Sequence, residues 1–295
     1  IPNFKRITTN SSITLMRIHS IDTGYFKLDG GAMFGVVPKS IWNKLNPADE
    51  NNMCTWAMRC LLVEHENRLV LIDNGIGNKQ DDKFFSHYYL HGEDTLSKSL
   101  KKLGYHENDI TDVFLTHLHF DHCGGSLKWN SDRSGFDLCF PNATYWSNEK
   151  HWQWATVPNP REKASFLKEN ILPIQESGHL KFVSESDNLF PGFGVYYVYG
   201  HTDAMMLPVL KTGTSTVVFC ADLLPSAAHV PLPYVMAYDT RPLLTMEEKG
   251  VFLKKATEEN WSLFFEHDPK HECAQLEWTE KGARVKEIFS LSSLV

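Results

Sequence analysis

Short, densely apolar runs alternate along the chain with longer polar stretches, and most of the runs have the length of strands. Residues 59–72 read RCLLVEHENRLVLI, two β-rich runs around the turn-like Glu64-His65-Glu66-Asn67. This pattern predicts a hairpin ending at Asp73-Asn74-Gly75. A helical stretch follows at roughly 94–103, stopped by Gly104. Residues 112–116 (DVFLT) form a short strand of the buried type that runs straight into His117-Leu118-His119-Phe120-Asp121-His122 before Gly124-Gly125. Residues 194–199 make a strand ending at Gly200-His201-Thr202. After it, 205–210 and 216–221 read as a hairpin across Lys211-Thr212-Gly213-Thr214-Ser215, with Asp222 at the end of the second strand. Residues 245–259 carry apolar Met246, Val251, Phe252 and Ala256 between charges, an amphipathic helix, and the strand 262–266 ends at His267.

Four times, then, a strand ends in a His or Asp facing a loop. Ligands in α/β proteins bind outside the carboxyl ends of strands, so four converging ends would build one site from residues far apart in sequence. Strands, a helix, then strands and a helix again suggest a sandwich of two mixed sheets flanked by helices. No repeat, low-complexity tract or Pro/Gly/Ser-rich linker interrupts the chain, so 1–295 reads as a single unit.

Composition narrows the class. The 295 residues are 42% hydrophobic and 22% charged, which excludes disorder, collagen and coiled coil as the main architecture. Lys and Arg number 29 against 36 Asp and Glu, a net charge of −7 without a basic block. Nucleic acid is therefore not the expected partner, and a small-molecule substrate is. No apolar run is long enough to span a bilayer, so no membrane partner is expected. Six scattered cysteines (Cys54, Cys60, Cys123, Cys139, Cys220, Cys273) read as free, mostly buried thiols. The opening Ile1-Pro2-Asn3-Phe4-Lys5 has neither an initiator Met nor a signal-peptide core and reads as a trimmed or processed terminus. A cytoplasmic location is the expectation, with export after removal of a signal peptide left open.

The candidate chemistry lies in the polar cluster. H-x-H puts two imidazoles on one side of an extended segment, so His117 and His119 can grip one ion. Asp121 and His122 follow as the chain turns and can supply a second. Imidazole and carboxylate suit zinc, manganese, iron or cobalt. With independent residues, H-x-H-x-D-H arises in such a chain about two times in a thousand. The bland reading, a His-rich loop bonded to solvent and backbone, must pack three imidazoles and a carboxylate without a cation.

With these residues in view, the sequence resembles the metallo-β-lactamase-fold hydrolase superfamily. The matching pieces are THLHFDHCGG (116–125), GHTDAM (200–205), CADLLP (220–225) and EHDP (266–269), and the likeness runs from LVLIDNG (69–75) through His267. It implies the four-layer αβ/βα sandwich and two divalent ions, zinc first. His117, His119 and His201 would hold one ion, Asp121, His122 and His267 the other, and Asp222 would bridge. Asp73 matches a position that is structural in the family. Within the superfamily, 221–242 and 30–44 look like the quorum-quenching lactonase and methyl-parathion-hydrolase branch. Acyl-homoserine lactonases place a Tyr three residues after the bridging Asp, where Pro225 stands here; His229, Tyr234 and Tyr238 are the nearby replacements.

Such a pair of ions brings the pKa of a shared water toward neutrality, giving a bridging hydroxide as nucleophile. Asp121 is then expected to orient it and carry a proton to the leaving group, with Asp222 as the second catalytic carboxylate. The expected pocket walls are Met33, Phe34, Trp42, Phe120, His229, Tyr234 and Tyr238, with the Phe84-Phe85 and Tyr88-Tyr89 pairs and Trp146, Trp152 and Trp154 as further aromatic stretches. Segments 78–95 and 147–175 read as lid or dimer elements, a homodimer being one outcome. The leading expectation is a binuclear hydrolase of a small lactone or ester, with organophosphate or aryl-ester hydrolysis next. A hydroxyacylglutathione-type thioesterase would need more than the 28 residues after His267. True β-lactamases lack the Asp222 position, His119 argues against diiron flavoproteins, and a mononuclear iron sulfur dioxygenase or a non-catalytic scaffold stays as an alternative.

Overall fold

The computed structural model describes residues 16–294; the opening pentapeptide lies outside them. Among the described residues, fourteen strands form two six-stranded sheets and a small hairpin. They are β1 (Arg17–Asp29), β2 (Met53–His65), β3 (Arg68–Ile72), β4 (Asp112–Phe114), β5 (Leu127–Trp129), β6 (Phe136–Leu138), β7 (Thr144–Ser147), β8 (Leu180–Phe182), β9 (Phe193–Val198), β10 (Met205–Thr212), β11 (Ser215–Phe219), β12 (Ser262–Phe264), β13 (Cys273–Thr279) and β14 (Gly282–Phe289). The first sheet has the order β1-β2-β3-β4-β7-β8, the second β14-β13-β12-β11-β10-β9, and β5-β6 stand apart. Both sheets are mixed: β3, β4, β7 and β8 run parallel, as do β11 and β12, and the rest pair antiparallel.

Eight α-helices among the described residues connect them: α1 (Gly30–Phe34), α2 (Lys39–Trp42), α3 (Asp82–Ser86), α4 (Leu96–Lys102), α5 (Phe120–Cys123), α6 (Glu149–Thr156), α7 (Lys168–Glu176) and α8 (Pro242–Glu258). Period-two alternation sorts the first sheet's side chains between two cores. Leu61, Val63, Val70, Ile72 and Phe114 face the second sheet and pack with Met206, Leu207, Val218 and Phe264. Leu62, Leu71, Val113 and Leu115 face outward onto Leu100 of α4, Trp152 of α6 and Ile171 and Ile174 of α7. Phe252, Leu253 and Ala256 of α8 join the second sheet's apolar cluster. The result is the expected four layers, helix–sheet–sheet–helix.

The hairpin, the helix near 94–103 and the strand ends appear where the pattern put them, with informative differences. The turn of the first hairpin is only Glu66-Asn67, with Glu66 at φ 54°, because β2 continues to His65 opposite Arg68. β2 also begins earlier, at Met53, and pairs with β1 along nearly its whole length, from Met53 opposite Asp29 to Glu64 opposite Arg17. α8 starts at Pro242, a residue that suits the first helical position. Its buried stripe is Thr245, Lys249, Phe252, Leu253 and Ala256, while the expected core residue Val251 is exposed. Among the described residues no helix is long and apolar enough to cross a membrane.

Candidate metal centre

The loops leaving β3, β4, β9, β11 and β12 carry Asp73, His117, His201, Asp222 and His267, each one to three residues past its strand. Local chemistry fixes their directions. Asp73, at φ 54°, accepts from the Thr116 N–H (2.8 Å) and the Thr116 hydroxyl (2.7 Å), so the first sheet's two central loops are tied just before His117. A Cβ on Gly200 would lie 2.3 Å from the Thr245 nitrogen, so only glycine lets α8 approach this closely beside His201. Ala221 holds φ 40°, a strained left-handed conformation just before Asp222. The two sheets are stitched where β2 meets the 266–267 backbone: Ala57 N–H donates to His267 O (3.1 Å) and Arg59 N–H to Glu266 O (3.0 Å). The buried Arg59 guanidinium adds bonds to Phe265 O and Asp268 O, both 3.0 Å.

All seven sequence-predicted metal residues come together as two adjoining groups. In the first, His117 Nε2 and His119 Nδ1 are 3.0 Å apart, His201 Nε2 and His119 Nδ1 3.2 Å, and Asp222 Oδ2 lies 3.1 Å from His201 Nε2 and 3.9 Å from His117 Nε2. In the second, His267 Nε2 and His122 Nε2 are 3.2 Å apart. Asp121 Oδ2 lies 3.8 Å from both of those nitrogens, and Asp222 Oδ1 is 3.1 Å from His267 Nε2 and 3.6 Å from His122 Nε2. Donors bound tetrahedrally at zinc distances sit about 3.3 Å from one another. Both groups match that spacing, and both are groups that could hold a metal ion.

The outer ring nitrogens show why a cation belongs between the inner ones. His267 Nδ1 is 2.8 Å from Ala57 O, His201 Nδ1 is 2.9 Å from Asp239 Oδ1, and His122 Nδ1 is 3.0 Å from both Asp73 Oδ2 and Glu266 Oε2. His119 Nε2 faces Glu162 Oε1 at 3.4 Å. His117 Nδ1 is 3.1 Å from the Thr116 hydroxyl, whose own hydrogen goes to Asp73, so the ring must donate. Every outer nitrogen thus faces an acceptor, so in the neutral rings the hydrogens go outward and five inner lone pairs face one another at 3.0–3.2 Å, a crowding that a bound cation, or a proton in its absence, relieves. Lone pairs that close repel unless a positive charge sits among them. Asp222 Oδ1 fits the same account, being buried without a hydrogen-bond partner.

Among the protein's own charges, burial lowers His201 and His267 but is outweighed, chiefly by Asp222, which raises them to about 10 and about 9. Burial raises Asp222 in turn, and His201, His122 and His267 overcome it and hold the carboxyl well below its usual range. His117 goes the other way, pushed well below its ordinary value by burial and by His122 and His119.

Several supporting residues escaped the sequence reading. Nothing in the spacing marks Glu162 or Asp239, and Glu266, although it opens the EHDP piece, was given no role. Buried His151 accepts from Leu118 N–H (2.9 Å) and holds Asp203 O (2.6 Å), linking the H-x-H loop to the turn after His201. Ser165 O accepts from Phe120 N–H at 3.0 Å, so the 147–175 segment buttresses the site from behind.

The expected walls divide. Met33, Phe34 and Trp42 are core: Phe34 stacks between Trp42 (5.6 Å) and His229 (4.6 Å). His229 is corrected with them, since its Nδ1 meets the Ser226 hydroxyl (2.7 Å) and its Nε2 meets Met33 O (2.9 Å), leaving no ring nitrogen for a substrate. Phe120 packs against Phe84 (5.3 Å) and Tyr88 (4.8 Å) beside Asp121. Tyr234 is half-buried and Tyr238 is 39% exposed. Of the tryptophans, Trp152 is core, Trp146 donates to Asp112 (2.8 Å) and Trp154 to Glu162 (2.7 Å). At Pro225 the carbonyl accepts from His267 N–H (3.0 Å).

Comparison with known proteins agrees with this architecture. An N-acyl homoserine lactonase of Bacillus cereus is 25% identical over 216 residues, covering 70% of this chain and 74% of that protein. The crystal structure of a probable metal-dependent hydrolase from Staphylococcus aureus superposes with a TM-score of 0.85 at 26% identity, covering 96% of this chain and 99% of that one. AidC, a dizinc quorum-quenching lactonase solved in complex with a product, shares the fold with a TM-score of 0.75 at 24% identity, covering 94% and 97%. The profile of the Metallo-beta-lactamase superfamily matches residues 59–267, the span from the inter-sheet seam to the last histidine of the site, and the chain belongs to that superfamily as one of its hydrolases.

Proposed function

We propose that this protein is a binuclear metal-dependent hydrolase that opens a small lactone, with His117, His119, His201 and Asp222 Oδ2 at one ion and Asp121, His122, His267 and Asp222 Oδ1 at the other. The observation that carries the reading is the division of one carboxylate, Asp222, between the two groups. Lactonase activity in the relatives named above supports the choice of bond. When bound, the ions, zinc first, supply a nucleophilic hydroxide at neutral pH and Lewis acidity toward the substrate carbonyl.

The chain's residues do the rest. Asp121 turns Oδ2 toward His122 and His267, and its other oxygen is free to hold a proton and pass it to the leaving alkoxide. Phe120, Phe84 and Tyr88 give an apolar wall next to Asp121, suited to an acyl chain. Tyr238 replaces the tyrosine that Pro225 lacks. Its phenol is raised by burial and by Asp29, Tyr88, Asp121 and Asp222, so the hydroxyl stays neutral and able to donate. Glu162, Asp239 and Glu266 orient His119, His201 and His122.

Pro225 favours a second reading, hydrolysis of an aryl ester or phosphotriester, in which no donor at that position is needed. The deciding experiment is turnover of acyl-homoserine lactones of several chain lengths, an aryl ester, a phosphotriester and an acyl-glutathione with defined metals. Lactone hydrolysis lost in Asp121→Asn at full metal load is the expected result; hydrolysis of the acyl-glutathione alone overturns the reading.

A further inference from the structure

Two cations from separate parts of the chain spend their hydrogens on one ten-residue segment. Lys249 of α8 is wholly buried, and its ammonium donates to Pro231 O and Tyr234 O, both at 2.9 Å. Arg161, in the turn between α6 and α7, donates from one terminal nitrogen to Ala237 O and to Asp239 O. The segment between those carbonyls, 231–240, is tied on its other side by Ala237 N–H to Ala32 O (2.8 Å) and by Thr240 N–H to His201 O (3.0 Å). Its Asp239 side chain closes it internally, accepting from Met236 N–H at 3.1 Å.

Burying a lysine is costly, and a carbonyl left unpaired in the core costs too, so a buried ammonium between two carbonyls marks a backbone whose position matters. Burial pushes Lys249 down to about 7, with Asp239 opposing. Arg161 is exposed and gains little from desolvation, yet its planar head reaches the carbonyls on either side of Tyr238. Among the described residues, neither cation hydrogen-bonds or ion-pairs with a residue of the two metal groups.

We propose that Lys249 and Arg161 are positioning residues that hold 231–240 as the substrate-side wall of the site, setting substrate affinity through Tyr238 and Tyr234. The proposal rests on hydrolysis at the two metal groups, not on the lactone being the substrate.

The test compares wild type with Arg161→Ala and Lys249→Met by hydrogen exchange, metal stoichiometry and steady-state kinetics on whichever panel compound the wild type hydrolyses. The expected result is faster amide exchange confined to 231–240, two ions retained, kcat within about twofold and KM raised about five- to tenfold, the signature of lost uniform binding. Faster exchange with KM unmoved overturns the wall; unchanged exchange overturns the anchoring; loss of an ion shows action through the metals and overturns the proposal as well. Arg161, being exposed, decides the matter if Lys249→Met does not fold. A wild type that hydrolyses only the aryl ester or phosphotriester ends the lactone reading and leaves the KM for that ester as the measure.

Discussion

Lowering the pH from 7 to 5 should destabilise the protein by about 2 kcal/mol through His229 alone. The ring is 1% exposed, has both nitrogens engaged and lies flat on Phe34. Burial, only partly opposed by the bond to Met33 O, pushes it down to about 3. In the unfolded chain the same ring titrates near its ordinary value of about 6.5, so below that pH the unfolded state binds the extra proton. Stability is therefore complete above pH 6.5 and drains as the pH falls toward 3; linkage gives about 2 kcal/mol at pH 5 and about 3 kcal/mol at pH 4. Urea unfolding of wild type and His229→Gln, both with excess chelator so that the metal residues titrate alike, measures the difference. At pH 7 the variant should be weaker by about 1–3 kcal/mol, from lost stacking and a poorer hydrogen bond. Between pH 7 and 5 the wild type should lose about 2 kcal/mol more than the variant. Parallel losses would mean that the imidazole reaches water, as a wall residue does, and would refute its assignment to the core.

Three further outcomes follow from the same geometry. Asp239→Asn removes the carboxylate from His201 Nδ1 and should weaken one ion about ten- to a hundredfold in a chelator competition, with the second ion's affinity kept; equal weakening of both would count against two separate groups. Gly200→Ala drives a Cβ into the Thr245 backbone, so a folded variant should bind one ion fewer by elemental analysis, and two full ions would show that the turn yields easily. Trp42→Ala should cost about 3–5 kcal/mol in thermal or urea unfolding, whereas Trp278→Ala, 54% exposed, should stay within about 0.5 kcal/mol; similar costs would place Trp42 outside the core.

The gathering of the seven residues was legible because His117, His201, Asp222 and His267 each follow a strand whose apolar run can be seen, and because imidazoles two apart leave a spacing that little else produces. The residues behind them were not. Glu162 reaches His119 from a turn between α6 and α7, and Asp239 reaches His201 from a segment without periodicity; such contacts are set by tertiary packing alone. His229 misled for a related reason. It was taken as a donor at the mouth of the site, but the sequence does not show that Ser226 and Met33 consume both nitrogens. Val251 counted among the apolar positions of the amphipathic helix, yet it is exposed, and Lys249 is buried in its stead. The helix turns Lys249 inward there, and two carbonyls of the neighbouring loop accept from its ammonium.

The division of donors between the sheets gives the ions a mechanical role. His117, His119, Asp121 and His122 leave the first sheet, whereas His201, Asp222 and His267 leave the second. Any cation seated in either group therefore rivets the two halves of the molecule together, beside the backbone stitch at Ala57 and Arg59. An ion that served the proposed hydrolysis would then be reagent and fastener at once, and its loss would loosen the whole body as it ended the chemistry.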